Sequence, residues 1–442
     1  MSYSVGLISL GCPKNQVDAE HILALLDEKG YNIVDYVDGC DVVIVNTCGF
    51  IDDAKKEAIE NILDMAELKS EGIIKKIIVS GCLSQRYRDE IAQEIPEVDA
   101  VIGIGAIGDI VEIIDKVMAS DEIYQSYPSQ DNLPLDGQRI ITTPEHWAYL
   151  KIADGCSNRC TYCTIPSIRG NMRSRKMENI IDEAKQLAEI GVKELIVIAQ
   201  DTTSYGLDIY GELMLPALLN QLCEINGIEW IRILYCYPDR ITDELIQTIK
   251  EQEKICNYID LPLQHADDNI LKAMNRRGNS ELIRSVIGKL RKEIPDVVIR
   301  TTFIVGFPGE GDDEFEHLAE FVNEIEFDRL GCFTFSPQEN TPAFDMDNQV
   351  EDDVKARRGD IIMQDQFSIT EEINNAKIGK TYKVITEEYD AYTDSYTGRT
   401  YMDAPEIDGL VRFTSNKDIE IGEFVNVRIF DVDEYDLIGE RV

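Results

Sequence analysis

The chain is short of positive charge. Its 442 residues hold 43 Lys and Arg against 83 Asp and Glu, a formal net charge of −40 and an isoelectric point near 4.4. Such a surface repels a phosphate backbone and attracts basic partners, which argues against RNA as the main ligand. An organism whose proteins are acidic throughout accounts for the same number. No 18-residue apolar run free of charge occurs, so no membrane-spanning helix is expected. The segment Met1-Ser2-Tyr3-Ser4 lacks the basic stretch and apolar core of a secretory signal. Eleven cysteines without such a signal point to a reducing cytoplasm and to metal ligation, not to a disulfide framework. The length predicts two to four domains.

Three of those cysteines stand in one short run, Cys156-Ser-Asn-Arg-Cys160-Thr-Tyr162-Cys163, directly after a β-like stretch at 146–152. Three thiolates on one loop can hold three irons of a four-iron cluster and leave the fourth open to a substrate or cofactor. A zinc knuckle or a thioredoxin-like pair is the alternative, since Cys160 and Cys163 form a C-x-x-C. A zinc site asks for a fourth Cys or His, and between Asp154 and Asn220 there is none.

The first 120 or so residues alternate strand-like runs (5–10, 41–46, 76–80, 98–103) with helix-like stretches (17–29, 53–69, 84–93 and a last one to 118), as in a parallel α/β sheet. Cys12, Cys48 and Cys82 each follow one of the first three runs. A parallel sheet would place all three at its carboxyl edge, where α/β folds bind ligands. Gly11, Gly49 and Gly81 stand beside them and allow the backbone to approach a bulky inorganic group. Three such positions predict a second three-cysteine cluster; buried structural thiols are the alternative. Cys40 precedes its strand and reads as structural. Residues 128–144 lack periodicity and read as a linker. Six strand-like runs follow (146–152, 194–199, 230–234, 258–261, 297–305, 330–335), separated by helical stretches. They predict an open partial (β/α)6 barrel with its chemistry on the loops after the strands. Cys223, Cys236, Cys256 and Cys332 fall at core positions. From about residue 377, β-rich runs at 381–386, 409–414 and 424–430 suggest a small antiparallel β-barrel. Residues 376–442 carry 8 Lys and Arg against 15 Asp and Glu, which disfavours RNA there as well.

The Cys156/Cys160/Cys163 spacing resembles that of the radical S-adenosylmethionine (SAM) enzymes. The whole chain is similar to one of their families, the methylthiotransferases, with an N-terminal three-cysteine domain, a central barrel and a C-terminal TRAM domain. Gly11-Cys12-Pro13-Lys14-Asn15-Gln16-Val17-Asp18 and the segment from Gly398 to Gly409 resemble the branch that modifies an aspartate of the twelfth small-subunit ribosomal protein. The other branch modifies a tRNA adenosine and usually has Gln where Pro13 stands. The resemblance implies domains at 1–127, 142–373 and 376–442, two 4Fe–4S clusters, SAM, a low-potential electron donor and a basic ribosomal protein as substrate. It implies a cytoplasmic, monomeric enzyme. Cys156, Cys160 and Cys163 would hold the cluster that cleaves SAM to a radical able to take a hydrogen from the aspartate β-carbon. Cys12, Cys48 and Cys82 would hold the cluster that carries the sulfur to be methylated and transferred. Tyr162, Gln200, Gly306 and Glu310 would lie along SAM. Gln200-Asp201-Thr202-Thr203 stands where the wider superfamily has Gly-Gly-Glu. Arg169, Arg173 and Arg175 can pair with SAM or substrate carboxylates or form a solvated basic face. His265 is a site residue or a satisfied loop histidine. Asp403, Glu406 and Asp408 are the expected contact with a basic protein. Methylthiolation of tRNA and an iron–sulfur electron carrier without SAM chemistry are the competing readings.

Overall fold

The computed structural model describes residues 3–442. Near the N-terminus, six strands form one parallel sheet: β1 (Ser4–Ser9), β2 (Asn32–Val34), β3 (Val42–Thr47), β4 (Lys76–Gly81), β5 (Ala100–Ile102) and β6 (Tyr124–Ser126), in the order β2-β1-β3-β4-β5-β6. Helices α1 (Pro13–Lys29), α2 (Asp52–Ser70), α3 (Cys82–Arg86), α4 (Arg88–Glu94) and α5 (Ile110–Ala119) cover it. All six residues of β3 are buried, as befits a central parallel strand covered on both faces. β2 and β6 are absent from the periodicity reading, because three residues are too few to set a pattern. α1 begins at Pro13, four residues earlier than predicted, with the proline pre-set for the first helical turn. The helix predicted over 84–93 is broken at Tyr87, whose φ of −117° and ψ of 50° are not helical.

Residues 128–144 are no free linker. Arg139 bridges Glu20 on α1 at 3.1 Å and Glu183 at 2.7 Å, and Thr142 donates to Glu20 from backbone and hydroxyl. Polar composition without periodicity describes this strap as well as it describes a loose tether.

The middle region contains β7 (Trp147–Lys151), β8 (Ala153–Asp154), α6 (Ile165–Arg169), β9 (Arg173–Ser174), α7 (Met177–Glu189), β10 (Glu194–Ile198), α8 (Leu215–Cys223), β11 (Trp230–Ile233), α9 (Asp243–Glu251), β12 (Ile255–Asp260), α10 (Asp268–Ala273), α11 (Ser280–Glu293), β13 (Val298–Val305), α12 (Asp312–Ile325), β14 (Arg329–Thr334) and α13 (Asp352–Asn375). The six strands predicted there pair in chain order, β7-β10-β11-β12-β13-β14, all parallel, and the edges β7 and β14 do not meet. β8 and β9 form a small antiparallel ribbon beneath the cysteine loop. Side chains alternate across the strands. Leu150, Leu195, Val197 and Ile231 pack toward the helices, whereas Trp147, Tyr149, Ile196 and Trp230 face inward.

The C-terminal strands β15 (Thr381–Asp390), β16 (Ser395–Arg399), β17 (Val411–Thr414), β18 (Phe424–Asp433) and β19 (Asp436–Arg441) close into a barrel, two strands more than the three predicted runs. The segment between β16 and β17 enters the open barrel. Met402 and Ala404 join the inward-facing cluster with Trp147, Tyr149 and Tyr258. Charged pairs seal the seam. Glu194 meets Arg232 at 2.8 Å and Arg399 at 2.7 Å, with all three side chains fully buried. Asp403 pairs with Arg329 at 2.9 Å, and Asp408 accepts from Tyr258 at 2.7 Å and lies 3.5 Å from Arg300. The expectation that Asp403, Glu406 and Asp408 greet a basic protein is therefore corrected. Asp403 and Asp408 neutralise arginines of β13 and β14, and only Glu406 stays exposed.

Candidate functional site

β1, β3 and β4 are neighbours in the sheet, so their carboxyl ends lie side by side. Cys12 caps α1 just past β1, Cys48 follows β3, and Cys82 is the first residue of α3 after β4. Each thiol lies within electrostatic reach of the other two. Gly11 (φ 95°) shows how tight the junction is: a Cβ there would stand 2.6 Å from Cys48 Cβ. Gly81 (φ 97°) would place one 2.4 Å from the Thr47 carbonyl oxygen. Burial pushes the Cys82 thiol up to about 12 against the pull of Arg169, and burial followed by the Cys12 charge raises Cys48. Asn15 locks the edge by donating to the Leu10 carbonyl at 2.7 Å, while Asn46 donates to the Asn15 carbonyl at 2.9 Å.

The second set sits at the mouth of the open barrel. Its loop is pinned on several sides. Cys156 N–H donates to Gly170 O at 3.1 Å, Thr161 N–H to Met274 O at 3.0 Å, and Asn275 to Arg159 O at 2.8 Å. Cys160 Sγ lies 3.3 Å from the Tyr237 hydroxyl and 4.0 Å from the Arg276 guanidinium, which also lies over the Tyr237 ring. Burial is the main cause that raises the Cys156 and Cys163 thiols. Asp201 supports the loop from β10. It accepts from Asn158 at 2.7 Å and from Arg240, and Asn158 in turn lies 3.5 Å from Cys156 Sγ.

Both sets of thiols fit iron–sulfur clusters. Among the described residues no three His, Cys, Asp or Glu side chains close around a single ion. Three thiols at electrostatic range suit a cube in which each binds its own iron. Since iron binds thiolates, loading either set releases protons. Gln200 supplies an independent sign of a ligand. Both polar atoms of its amide are buried without a partner, a group that costs about 1–3 kcal/mol until something bonds to it.

A single loop joins the two sets. After β11, Tyr237 reaches Cys160, and Tyr235, two residues earlier, lies within electrostatic reach of Cys12 and carries the Lys14 ammonium 3.2 Å from its ring centroid. Tyr235 holds a left-handed backbone (φ 63°), a strain of about 1–3 kcal/mol that persists only where its surroundings fix it. Beneath lies a closed quartet of buried charges. Lys151 pairs with Asp18 and, at 3.2 Å, with Asp154, and Arg169 lies 2.8 Å from each carboxylate. Burial would raise Asp154, but Arg169 and Lys151 hold its carboxyl below the usual range.

Several predicted residues land differently. Arg169, Arg173 and Arg175 form neither a solvated face nor a free carboxylate clamp. Arg169 belongs to the quartet and donates to Asn15 and toward Cys82 Sγ at 3.5 Å. Arg173 binds the backbone carbonyls of Gln130 and Asp131, and Arg175 pairs with Asp136 and Glu183. His265 is satisfied: Nδ1 accepts from Asp267 N–H, and Nε2 meets Glu310 at 3.2 Å. Glu310 is fully engaged with Arg358, the Gly306 amide and His265. A Cβ on Gly306 (φ 74°) would stand 2.2 Å from Lys355 Cγ. Tyr162 packs edge-on against Phe307 beside the cysteine loop. Cys40 donates to the Tyr36 carbonyl and is structural as expected. Cys223, Cys236 and Cys256 are buried, while Cys332 is only partly so. Sequence reasoning missed Lys14, Asn15, Asn158, Tyr235, Tyr237, Arg240 and Arg276. Lys14 and Asn15 adjoin Cys12, and Asn158 lies inside the cysteine loop; the other four carry no local signal.

Residues 150–322 match the radical SAM superfamily, residues 4–103 match uncharacterized protein family UPF0004, and residues 378–442 match the TRAM domain. The chain is 51% identical to the ribosomal protein uS12 methylthiotransferase RimO of Clostridioides difficile (strain 630), covering 99% of this chain and 98% of that one. It is 53% identical to the protein of the same name from Caldanaerobacter subterraneus subsp. tengcongensis, covering 99% of each. The fold is similar to that of the radical SAM methyltransferase TsrM from Kitasatospora setae, solved with cobalamin and a 4Fe–4S cluster. That match has a TM-score of 0.58 and 13% identity over 78% of this chain and 77% of that one. It is also similar to the cobalamin-dependent SAM radical enzyme OxsB, with a TM-score of 0.53 and 13% identity over 83% and 58% of the two chains. Likeness at that identity concerns the fold alone. The identity to the RimO proteins runs the length of the molecule, and this chain belongs to the ribosomal protein uS12 methylthiotransferase family of radical SAM enzymes.

Proposed function

We propose that this enzyme methylthiolates the β-carbon of an aspartate in ribosomal protein uS12, using SAM and two 4Fe–4S clusters. The observation that carries the reading is the β11 loop, whose Tyr237 lies 3.3 Å from Cys160 of one cysteine set and whose Tyr235 lies within electrostatic reach of Cys12 of the other. Two clusters held against one loop can act on one substrate atom. When bound, the clusters and SAM supply hydrogen abstraction from an unactivated carbon and a transferable sulfur, chemistry beyond any side-chain acid or base.

The residues are assigned as follows. Cys156, Cys160 and Cys163 hold the SAM-cleaving cluster, and Cys12, Cys48 and Cys82 the sulfur-carrying one. The Gln200 amide bonds to SAM. Tyr162 packs beside it, and Glu310 fixes the Gly306 turn that borders it. The units span residues 1–127, 142–373 and 376–442. A low-potential donor reduces the enzyme. It works as a monomer in the cytoplasm, a compartment that suits eleven free thiols. Among the described residues no helix is long and apolar enough to cross a membrane.

Anaerobic reconstitution should load about eight irons per chain, the content of two four-iron clusters. With SAM and a strong reductant, mass spectrometry of purified uS12 should show one methylthio group on an aspartate. Cys160→Ala should abolish 5′-deoxyadenosine, whereas Cys48→Ala should still form it and transfer no methylthio group. Methylthiolated tRNA with unmodified uS12 would refute the substrate assignment.

A further inference from the structure

Among the described residues, two buried cations beside the cysteine sets have no carboxylate within ion-pair distance, Arg276 and Lys14; Arg276 is engaged by the Pro262 carbonyl, the Tyr237 ring and Cys160 Sγ. In the quartet, Asp18 and Asp154 balance Lys151 and Arg169. Asp260, the other nearby acid, pairs with Arg300 at 2.9 Å and accepts from the Tyr235 amide. Lys14 stays outside both groupings. It is only 6% exposed and its ammonium lies over the Tyr235 ring; Cys12, Asp260 and Asp154 attract it, but among the described residues no carboxylate lies within ion-pair distance. A buried charge without a counter-charge is rare unless a ligand completes it. Tyr235 is held in its strained backbone conformation beneath that ammonium, and such strain gathers at ligand sites. Cys12, Tyr235 and Tyr237 are only partly buried, so this corner is reachable from solvent.

We propose that Lys14, seated on Tyr235, binds the side-chain carboxylate of the target aspartate and so selects an acidic residue as substrate. This rests on the function proposed above. The carboxyl carbon is bonded directly to the β-carbon, so fixing the carboxylate beside Cys12 fixes the reacting carbon between the two cysteine sets. The Tyr235 ring limits where the ammonium can lie and, by excluding water, strengthens its attraction for a carboxylate, while the same burial penalises the ammonium when it stands alone. The quartet and the Arg300–Asp260 pair are already balanced, and Arg276 is held at Cys160 by the Pro262 carbonyl and the Tyr237 ring, so beside Cys12 an incoming carboxylate meets Lys14.

The test pairs enzyme and substrate changes. The proteins are reconstituted wild type, Lys14→Met and Lys14→Arg, and the probes are uS12 and uS12 with its target aspartate changed to asparagine. Wild type should modify the asparagine form about 10- to 100-fold less efficiently in kcat/KM, the range for losing one charged hydrogen bond. Lys14→Met should lose a similar factor on the aspartate form and little more on the asparagine form, with iron content still about eight. Lys14→Arg should recover part of the loss on the aspartate form alone. Equal losses of Lys14→Met on both substrates, or lost iron that Lys14→Arg restores without regaining preference for aspartate, would overturn the proposal and assign Lys14 to the Cys12 cluster. A wild type that leaves uS12 unmodified would instead overturn the functional reading on which the proposal rests.

Discussion

Removing one charge from the buried quartet should cost more than removing two of opposite sign would suggest. Asp18, Lys151, Asp154 and Arg169 have side chains at most 1% exposed and form two cations against two anions. Asp18→Asn leaves two cations facing one carboxylate. An uncompensated buried charge costs about 3–5 kcal/mol. Asparagine keeps a hydrogen-bonding oxygen, which puts the expected loss near the lower end, about 3 kcal/mol. Arg169→Met leaves two carboxylates to Lys151 and also frees Asn15, for a loss of about 4 kcal/mol. The double variant keeps the Lys151–Asp154 pair at 3.2 Å, one cation against one anion. Its loss should fall short of the sum by about 2 kcal/mol, in the range of coupled neighbours. Urea unfolding of the iron-free proteins under anaerobic conditions measures all four corners of this cycle. Losses that add within about 0.5 kcal/mol would refute the view that balance, and not any single contact, holds this seam.

Three further outcomes are expected. Burial, reinforced by Lys151 and Arg139, brings His21 down to about 4 from 6.5, so the folded protein keeps it neutral while the unfolded chain takes up a proton; stability should fall as pH drops from 6.5 to 4, by about 3 kcal/mol in all, and pH-dependent denaturation of His21→Gln should show a flatter slope there. Gln200→Leu should weaken SAM binding about tenfold yet stabilise the SAM-free protein by about 1 kcal/mol, since an unbonded buried amide disappears; calorimetry and urea melts that move in the same direction would contradict the assignment. Asp403→Asn should destabilise the protein by about 2 kcal/mol through Arg329 but leave the salt dependence of uS12 binding unchanged, because that carboxylate never reaches solvent; a reduced salt slope would return it to the binding surface.

The features legible in the sequence were those that repeat or cluster. Six strands of four to eight residues in the middle region set a pattern, as did β1, β3 and β4. The cysteines were readable because a parallel sheet brings its strand ends together whatever the distance along the chain. Three-residue strands such as β2 were not, since alternation needs more positions to show. The arginines after the cysteine loop could not be resolved. Arg169 finds Asp18 some 150 residues earlier, and no local rule pairs them. The acidic run near Asp403 misled for the same reason. Its counter-charges, Arg300 and Arg329, come from neighbouring parallel strands, and only the folded barrel shows that they face the same interior. Lys14 was visible beside Cys12, but its lack of a partner is a property of the fold.

The segment that descends from the small C-terminal barrel into the open (β/α) barrel makes the module boundary a chemical one only. Cutting the chain near residue 376 would expose Trp147, Tyr149 and Tyr258, strand Arg329, and leave Glu194 with Arg232 alone and Arg300 with Asp260 alone. A truncated protein should therefore aggregate and not behave as a minimal enzyme. Grafting a tail from another protein would demand matching acids at the positions of Asp403 and Asp408, and a matching base at Arg399. Recombination between relatives is constrained at this joint, and the tail must evolve together with the strands it plugs.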